Sequence, residues 1–464
     1  MNTISIYLRF LKIKHTFSLL ICLFLMSGCE NFLETDNPTG QIPAEDVFED
    51  EATATAAVTT MYAKLRDEVL VTGTTFGVGV LMGFYADELD YYGIPGESLE
   101  NFFNHQIIAS DILVLNTWNS CYNLIYLANT AIEGLEASQT LSENIKNQLL
   151  GEALFIRALT HFYLVNLFGD VPYIKTTDYE INREVLRMSE TLVYSQILTD
   201  LDEAKNLLDA DYVTGERVRA NKYVVSALLA RVYLYLGQWE HAENESSLLI
   251  NTTSLYNLPT SLDETFLNTS PSAILQLKTK MEGISTTEAM TFVFASSPPP
   301  FGSLNEDLVE EMESNDLRRL HWVGVVTDGT NFWYYPNKYK QGSSSQYSVV
   351  FRLEEQYLIR AEARARQNNL MGAQQDLNII RGRAGLIDTV ATTLEGFLEE
   401  ILKERRFELF TEHGHRWFDL RRLGLAEDIL SPIKPGWDAA DTLLPIPETE
   451  LLMNPNLNPQ NPGY

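Results

Sequence analysis

Residues 228–243 read LLARVYLYLGQWEHAE, and the small residues of this stretch are spaced for two closely packed helices. Ala230 and Ala242 are twelve residues apart, and Gly237 lies between them, just before Trp239. A glycine between two apolar runs indicates a tight turn, and a small residue on each side lets two helices approach. The stretch therefore predicts a pair of antiparallel helices.

The same spacing is typical of the tetratricopeptide repeat, and Leu229 and Tyr233 extend the match. A second copy, less complete, runs through Ala361 and Ala373 at the same interval of twelve residues. A generic amphipathic hairpin is the alternative for either copy. We expect a mainly α fold with a tetratricopeptide-like framework, because stacked helix pairs bury a continuous core.

A longer helix is predicted upstream of this pair. Apolar residues recur at steps of three and four from Ile145 to Leu167, which places them on one side of a helix. The segment 169–172 (GDVP) then ends the pattern, and Ser189 is a suitable N-cap for the next helix. This region should therefore be helical as well.

Residues 251–350 have a different composition. Three consecutive prolines occupy 298–300, and Gly342 precedes three serines. We expect a loop-rich, irregular lobe with short strands, and such loops often carry binding groups. Aromatic residues gather in this lobe and in an earlier polar stretch: Trp322, Trp333, Tyr334 and Tyr335 with Asn331 in the lobe, and Asp90, Tyr91 and Tyr92 before it.

The composition excludes some classes of partner. The chain has 464 residues with a formal net charge of −29. Nucleic-acid binding relies on Lys and Arg to displace counterions, so we expect no nucleic-acid partner. Hydrophobic residues at 45 % exclude global disorder, since they supply enough apolar surface for a core.

The N-terminus predicts export. Residues 1–28 carry three basic residues and no acidic one, followed by an apolar run too short to span a bilayer. Residues 26–29 (MSGC) are similar to the bacterial lipobox, in which Cys29 is acylated and becomes the first residue. The alternative is an ordinary secreted protein in which Cys29 is incidental. We expect residues 29–464 to form one domain, helical over about 29–250, loop-rich over about 251–350 and helical again over about 351–464.

No catalytic constellation stands out. The chain has no phosphate-binding glycine loop, no GxSxG elbow and no HExxH motif. His413 and His415 with Glu412 form the nearest approach to a metal site, but they interrupt a charged helix, so we expect no metal and no cofactor. Acidic pairs such as Asp87 with Asp90 are suitable in type for a glycosidase, although solvated acids are the simpler interpretation.

Two further features have simple structural interpretations. Cys121 lies in an aromatic, helix-like stretch without a neighbouring His, which favours a small buried hydrophobe. Acidic and basic residues alternate at helix spacing between Glu404 and Arg422, which predicts an ion-pair network between helices. The alternative for these arginines is an anionic ligand.

The C-terminal third carries the most specific motifs. They are 351–363 (FRLEEQYLIRAEA), 377–386 (LNIIRGRAGL), 404–409 (ERRFEL), 414–422 (GHRWFDLRR), 444–447 (LPIP) and 461–464 (NPGY). Together with 118–129, 157–158, 168–173 and 227–239, and with the acidic stretch that follows Cys29, they resemble the SusD/RagB family of surface lipoproteins of Bacteroidetes.

This resemblance implies a lipid-anchored protein of the outer membrane, displayed at the cell surface, that binds glycans or other nutrients. It also implies delivery to a SusC-like TonB-dependent transporter, with no enzymatic activity. Sugar rings stack on aromatic faces and their hydroxyls pair with polar side chains. The aromatic and polar residues named above are therefore the candidate ligand contacts, although burial in the core is an equally good interpretation for each aromatic.

Three hypotheses remain open from the sequence: a glycan-binding subunit, a scaffold or lid that contacts only the transporter, and a surface hydrolase. A peptide ligand is a further alternative under the first. The net negative charge disfavours strongly anionic polysaccharides unless the lobe holds a basic patch. Four residues of the lobe are available for such a patch: Arg318, Arg319, Lys338 and Lys340.

Overall fold

Helices dominate residues 46–464, the part of the chain that the computed structural model describes. The leader and Cys29 lie outside these residues. No helix within the described part is long and apolar enough to cross a membrane.

The helices, in chain order, are α1 (Glu51–Asp67), α2 (Val78–Tyr85), α3 (Ser98–Asn104), α4 (Ile112–Ala137), α5 (Glu143–Phe168), α6 (Tyr179–Asn182), α7 (Glu190–Leu207), α8 (Lys222–Tyr235), α9 (Trp239–Asn251), α10 (Thr287–Phe292), α11 (Glu306–Glu310), α12 (Leu317–Trp322), α13 (Leu353–Arg366), α14 (Leu370–Arg383), α15 (Leu394–Leu409), α16 (His415–Arg422), α17 (Ala426–Leu430) and α18 (Glu448–Met453). The strands are β1 (Leu89–Tyr91), β2 (Ala273–Leu277), β3 (Gly302–Leu304), β4 (Val323–Thr327), β5 (Phe332–Pro336) and β6 (Ser348–Arg352).

The predicted helix pairs are confirmed. Helices α8 and α9 form the first pair, and Gly237 turns the chain between them with a φ of 67°, a conformation that glycine adopts without strain. Ala230 and Ala242 are fully buried and share one cluster with Ala363. Helices α13 and α14 form the second pair, with its two small residues buried in an adjoining cluster. The small residues therefore lie where the helices approach most closely.

Helix α5 is more deeply buried than its pattern predicts. Every residue from 149 to 168 is buried, so the helix is enclosed on all sides and not only along one apolar stripe. Its buried arginine is paired with a carboxylate: Arg157 donates to both carboxylate oxygens of Asp200, at 2.7 and 2.8 Å. The sequence pattern predicted the helix but not the extent of its burial. Polar residues on a helix suggest exposure to solvent, and the partner that allows Arg157 to be buried lies on another helix.

The predicted ion-pair network is confirmed and extends further than expected. Arg405 pairs with Asp419 at 2.6 Å, and Arg352 pairs with Glu408 at 2.6 Å. All four side chains are buried, so their charges are compensated inside the protein. The arginines of this network hold α15, α16 and β6 together and are not exposed to an anionic ligand.

Short strands connect the loop-rich lobe to the rest of the chain. Strand β2 pairs with β6, which leads directly into α13. A four-stranded antiparallel sheet has the order β1–β3–β5–β4 and joins β1, from the N-terminal part, to three strands of the lobe. This second sheet brings together segments that are more than two hundred residues apart.

Cys121 is fully buried, as expected for a small hydrophobe. Burial also raises the pKa of its thiol, which keeps the sulfur protonated and unreactive.

Candidate functional site

The four-stranded sheet brings most of the predicted ligand contacts into one region. Strand β1 carries Asp90 and Tyr91, and β5 carries Trp333, Tyr334 and Tyr335. Only β3 separates these two strands, so they lie about 10 Å apart across the sheet. The sheet therefore unites two aromatic stretches that are distant in sequence.

The register of the strands sorts these residues onto two faces. Leu304 of β3 pairs with Leu89 on one side and with Tyr334 on the other, so Tyr91 and Tyr334 share a face with them. Asp90 pairs with Ser303 and lies on the opposite face, together with Trp333 and Tyr335, the neighbours of Tyr334. One face thus combines a carboxyl group with an indole and a phenol ring.

Trp333 and Tyr335 differ in how they are supported. The ring of Tyr335 lies against Gly324, where a Cβ atom would collide with it, and 5.1 Å from the ring of Phe294. Trp333 is half-buried, and no hydrogen bond within residues 46–464 engages its indole N–H. The packed ring of Tyr335 is suited to stack on a sugar ring, and the free indole N–H of Trp333 can donate a hydrogen bond to a sugar hydroxyl.

Asp90 provides the acidic group of this face. Its carboxylate accepts a hydrogen bond from Nδ2 of Asn305 at 3.1 Å. Partial burial raises the pKa of Asp90, and the nearby charge of Lys434 offsets part of this effect. Two lone-pair positions of a carboxylate can accept further donors such as sugar hydroxyls.

Tyr91 and Tyr92 have different environments. The Tyr91 hydroxyl donates to the carbonyl of Ile94 at 2.8 Å, and burial raises its pKa to about 12. Its ring packs edge-on against Phe84 with centroids 5.8 Å apart. Tyr92 follows the strand and is 43 % exposed. Tyr91 therefore shapes the edge of the sheet, and Tyr92 is the more accessible of the two.

Asn331 lies at the turn between β4 and β5. Its side chain donates to Asp328 at 3.2 Å, and its backbone N–H donates to the same carboxylate at 2.8 Å. The residue is exposed, but its amide is already used to stabilise the turn. Asn331 therefore stabilises the turn that leads into β5.

The structure corrects the placement of Trp322. This residue ends α12, is 1 % exposed and donates its indole N–H to the carbonyl of Leu262 at 3.2 Å. The cations of Lys338 and Arg352 lie 5.2 and 5.9 Å from the ring, so Trp322 belongs to the core that surrounds the ion-pair network. It cannot stack on a ligand at the surface.

Two of the four residues that were available for a basic patch, Arg318 and Lys338, are buried. Arg318 is fully buried and pairs with Asp316 at 2.7 Å and with Glu404 at 2.5 Å. Lys338 is buried against Glu412 at 2.5 Å, and burial lowers its pKa to about 8. These charges stabilise the framework, because Glu404 belongs to α15 and Glu412 to the loop after it.

The remaining groups considered for chemistry are engaged in structural contacts. Asp87 pairs with Arg416 at 2.7 Å and with Arg406 at 3.0 Å. Nε2 of His413 lies 2.8 Å from the carbonyl of Val349, and burial lowers the pKa of both His413 and His415. Across the described part of the chain, no group of three or more His, Cys, Asp and Glu is placed to hold a metal ion.

Phe332 begins β5 and is 59 % exposed, but it was not among the predicted ligand contacts. It directly precedes Trp333, so residues 332–335 form an unbroken run of four aromatics. Period-two alternation within such a run places its members on both faces of a strand. The unbroken run was the available signal for including Phe332.

Comparisons with known proteins agree with this fold. Two family descriptions match the chain: "Starch-binding associating with outer membrane", over residues 32–234, and "SusD family", over residues 323–464. Together they cover most of the chain. Among curated relatives, SusD-like protein P2 of Formosa agariphila is 28 % identical over 97 % of this chain and 100 % of its own length.

Solved structures have the same architecture. A SusD superfamily protein from Bacteroides vulgatus matches with a TM-score of 0.77 at 22 % identity, over 90 % of this chain and 100 % of its own. A structure described as a laminarin binding SusD-like protein matches with a TM-score of 0.75 at 25 % identity, again over 90 % and 100 %. The chain belongs to the SusD/RagB family.

Proposed function

We propose that the protein is a surface lipoprotein that binds glycan chains on the β1–β3–β5–β4 sheet and delivers them to a SusC-like TonB-dependent transporter. The observation that carries the proposal is the shared face of Asp90, Trp333 and Tyr335. Aromatic rings next to a carboxylate suit sugars, which present apolar C–H faces and donate hydroxyl groups.

The relatives support a glycan as the ligand class. One matching family is described as starch-binding, and one similar structure is described as laminarin binding. Another similar structure, that of surface glycan-binding protein A from Bacteroides thetaiotaomicron, contains laminarihexaose. Because Asp87, Glu412 and His413 are held in structural contacts, we expect binding without turnover.

An anchor at Cys29 would hold the protein at the outer membrane. The cysteine and its lipobox-like context are the evidence for this part of the proposal, and the matching family is described as associating with the outer membrane. Several acyl chains on one cysteine would give durable anchoring, at about 0.8 kcal/mol per buried CH₂ group.

Calorimetric titration tests the binding proposal. The chain from residue 30 onward would be titrated with laminarihexaose, maltohexaose and a set of peptides, and Trp333→Ala would be titrated alongside. We expect saturable binding of a glycan that weakens about tenfold or more in the variant, with no product formed.

Met371→Ala provides a control, since Met371 is 72 % exposed on α14 and outside the sheet. Binding of peptides alone would favour the peptide-uptake alternative, and silence for all ligands would favour a scaffold that contacts only the transporter. Glycan binding that is unchanged in Trp333→Ala would contradict the placement of the site.

A further inference from the structure

An aromatic cavity lies away from the sheet, between α4, the loop that contains α6, and the C-terminal segment around α18. Its volume is about 310 Å³, at the lower end of the range of small-molecule sites. None of the residues that line it belongs to the four-stranded sheet. It is therefore separate from the candidate site on the sheet.

Four aromatic side chains form this cavity. Trp118, Tyr122 and Tyr126 follow one another at intervals of four residues, which places all three on one side of α4, and Tyr179 of α6 joins them. Trp118 is buried, whereas Tyr126 and Tyr179 are 51 % and 70 % exposed. The rings thus extend from the floor of the cavity to its rim.

The inner rings are held in fixed positions. Trp118 and Tyr122 lie with centroids 4.8 Å apart, and the Tyr122 hydroxyl donates to the carbonyl of Pro172 at 2.9 Å. Trp118 also packs edge-on against Phe168 of α5. A ligand would therefore meet a prearranged aromatic surface, which reduces the entropy lost on binding.

The basic charge at this cavity is compensated by neighbouring carboxylates. Arg183 lines the cavity, but its guanidinium pairs with Glu180 at 3.1 Å and with Glu184 at 3.4 Å. Asn119 also lines it, and its amide has no hydrogen bond within residues 46–464. An amide can donate and accept, so these groups favour an uncharged, hydroxyl-rich ligand over an anion.

Glu450 adds one acceptor at the C-terminal side of the cavity. Burial raises the pKa of its carboxyl group, and the Trp118 side chain offsets part of that increase. A half-buried carboxylate beside an indole ring is suited to accept a hydrogen bond from a ligand hydroxyl. A peptide backbone would more typically pair with a strand edge, and the cavity is lined by helices and loops.

Asn119 also lines a second opening of about 400 Å³ on the other side of α4. The charged residues there are paired: Lys64 with Glu68 at 2.7 Å, and Asp67 with the adjacent Arg66 at 2.6 Å. The exposed amides of Asn116 and Asn123 follow Asn119 along the same opening. A chain-like ligand that occupies the aromatic cavity can therefore continue across α4 along a polar path.

We propose that this cavity is a second glycan-binding site, which holds a segment of an uncharged oligosaccharide against Trp118, Tyr122 and Tyr126 and bonds it through Asn119. The site is independent of the sheet, so a glycan long enough to reach both places would be held at two points. Two contacts on one chain increase the overall affinity without any new interaction at either site.

The test uses the chain from residue 30 onward and a panel of neutral hexasaccharides of glucose, mannose and xylose, including laminarihexaose and maltohexaose. Tyr126→Ala and Asn119→Ala alter the cavity, Trp333→Ala alters the sheet, and Met371→Ala is the control. We expect at least one glycan to bind to the Trp333→Ala protein. We also expect that residual binding to weaken about tenfold when Tyr126→Ala is added.

Thermal unfolding midpoints equal to that of the unaltered protein would show that the variants are folded, because Tyr126 and Asn119 are exposed. The proposal is overturned if no glycan binds in the Trp333→Ala background, or if Tyr126→Ala and Asn119→Ala bind every glycan like the unaltered protein.

The outcome separates this proposal from that of the sheet. If only Trp333→Ala abolished binding, the glycan site on the sheet would be supported and the site in the cavity overturned. If only Tyr126→Ala abolished binding, the site in the cavity would be supported and the site on the sheet overturned. If Tyr126→Ala left all glycan binding unchanged but reduced recovery of the transporter from detergent-solubilised outer membranes, the cavity would be a protein interface and not a glycan site.

Discussion

Arg231 of α8 and Glu355 of α13 form a buried ion pair in which both guanidinium donors meet both carboxylate oxygens, each at 2.7 Å. The pair connects the two tetratricopeptide-like helix pairs, and Arg231 also donates to the hydroxyl of Tyr163 on α5 at 3.3 Å. Its rigid geometry fixes how three helices lie relative to one another, and that framework supports the sheet.

Glu355→Ala should destabilise the protein by about 3 to 5 kcal/mol, because it leaves the Arg231 charge buried without a partner. Denaturant unfolding followed by circular dichroism measures the change. Glu180→Ala serves as a matched control, since Glu180 pairs with Arg183 but is 69 % exposed, and should cost less than about 1 kcal/mol. Equal effects in the two variants would contradict the assigned role of the buried pair.

A larger side chain in place of Ala230 should also be destabilising. Ala230 is fully buried against α9 and α13, so Ala230→Leu forces helices apart and should cost about 1 to 3 kcal/mol. Ala56→Leu on α1 tests the specificity of this effect, because Ala56 is exposed. The two unfolding midpoints would be compared by calorimetry, and an unchanged midpoint for Ala230→Leu would argue against close packing there.

The framework was largely predictable because its signals are local. Ala230, Gly237 and Ala242 carry a spacing typical of closely packed helix pairs, and the alternating charges near Glu404 need only helical periodicity to be interpreted. The depth of burial of α5 was not predictable, because Arg157 finds its partner Asp200 on another helix.

The site was predictable only in part. Trp322 and Trp333 occur in the same lobe, yet one lies in the core and the other on β5, since tertiary contacts decide which residues are buried. The association of β1 with β5 depends on β3, a strand of three residues that has no distinctive pattern. Trp118, Tyr122 and Tyr126 did carry a helical signal, but core packing explains such spacing equally well.

Glu88 should make stability depend on pH. It is buried near Asp87, Lys338 and Arg416, and burial raises its pKa from the ordinary value of 4.5 to about 7. Between these values the folded protein holds a proton that the unfolded chain has released, so Glu88 makes stability fall as pH rises through this interval. The contribution is on the order of 3 kcal/mol at most.

Glu88→Gln removes that titration while keeping the size and shape of the side chain. Relative to the unaltered protein, the variant should gain stability as pH rises from 4.5 to 7, as measured by urea unfolding at a series of pH values. A difference between the two proteins that stays constant over this interval would show that Glu88 does not titrate there.

Cys121 should resist thiol reagents in the folded protein. The sulfur is buried and burial raises its pKa, so iodoacetamide should modify it only after denaturation. Mass spectrometry of the chain from residue 30 onward, treated before and after unfolding, checks this. Modification of the native protein at a rate similar to that of the unfolded chain would indicate that α4 opens readily.

Asp90 should make glycan binding on the sheet sensitive to acid. Its carboxylate accepts a sugar hydroxyl more strongly when ionised than when protonated, and burial raises its pKa, so affinity should fall under mildly acidic conditions. Asp90→Asn keeps the size of the side chain and should bind more weakly at neutral pH but with little pH dependence. Calorimetric titrations between about pH 7 and pH 4 would measure both effects.

Asp328→Asn is the matched control for this prediction. Asp328 lies in the turn beside Asn331, and hydrogen bonds from that turn lower its pKa, so it remains ionised over most of the interval in which Asp90 titrates. Loss of affinity on acidification should therefore persist in Asp328→Asn and disappear in Asp90→Asn. If the Asp90→Asn protein kept the pH dependence of the unaltered chain, the carboxylate of Asp90 would not contact the ligand, and Trp333 and Tyr335 would have to bind it without an acidic partner.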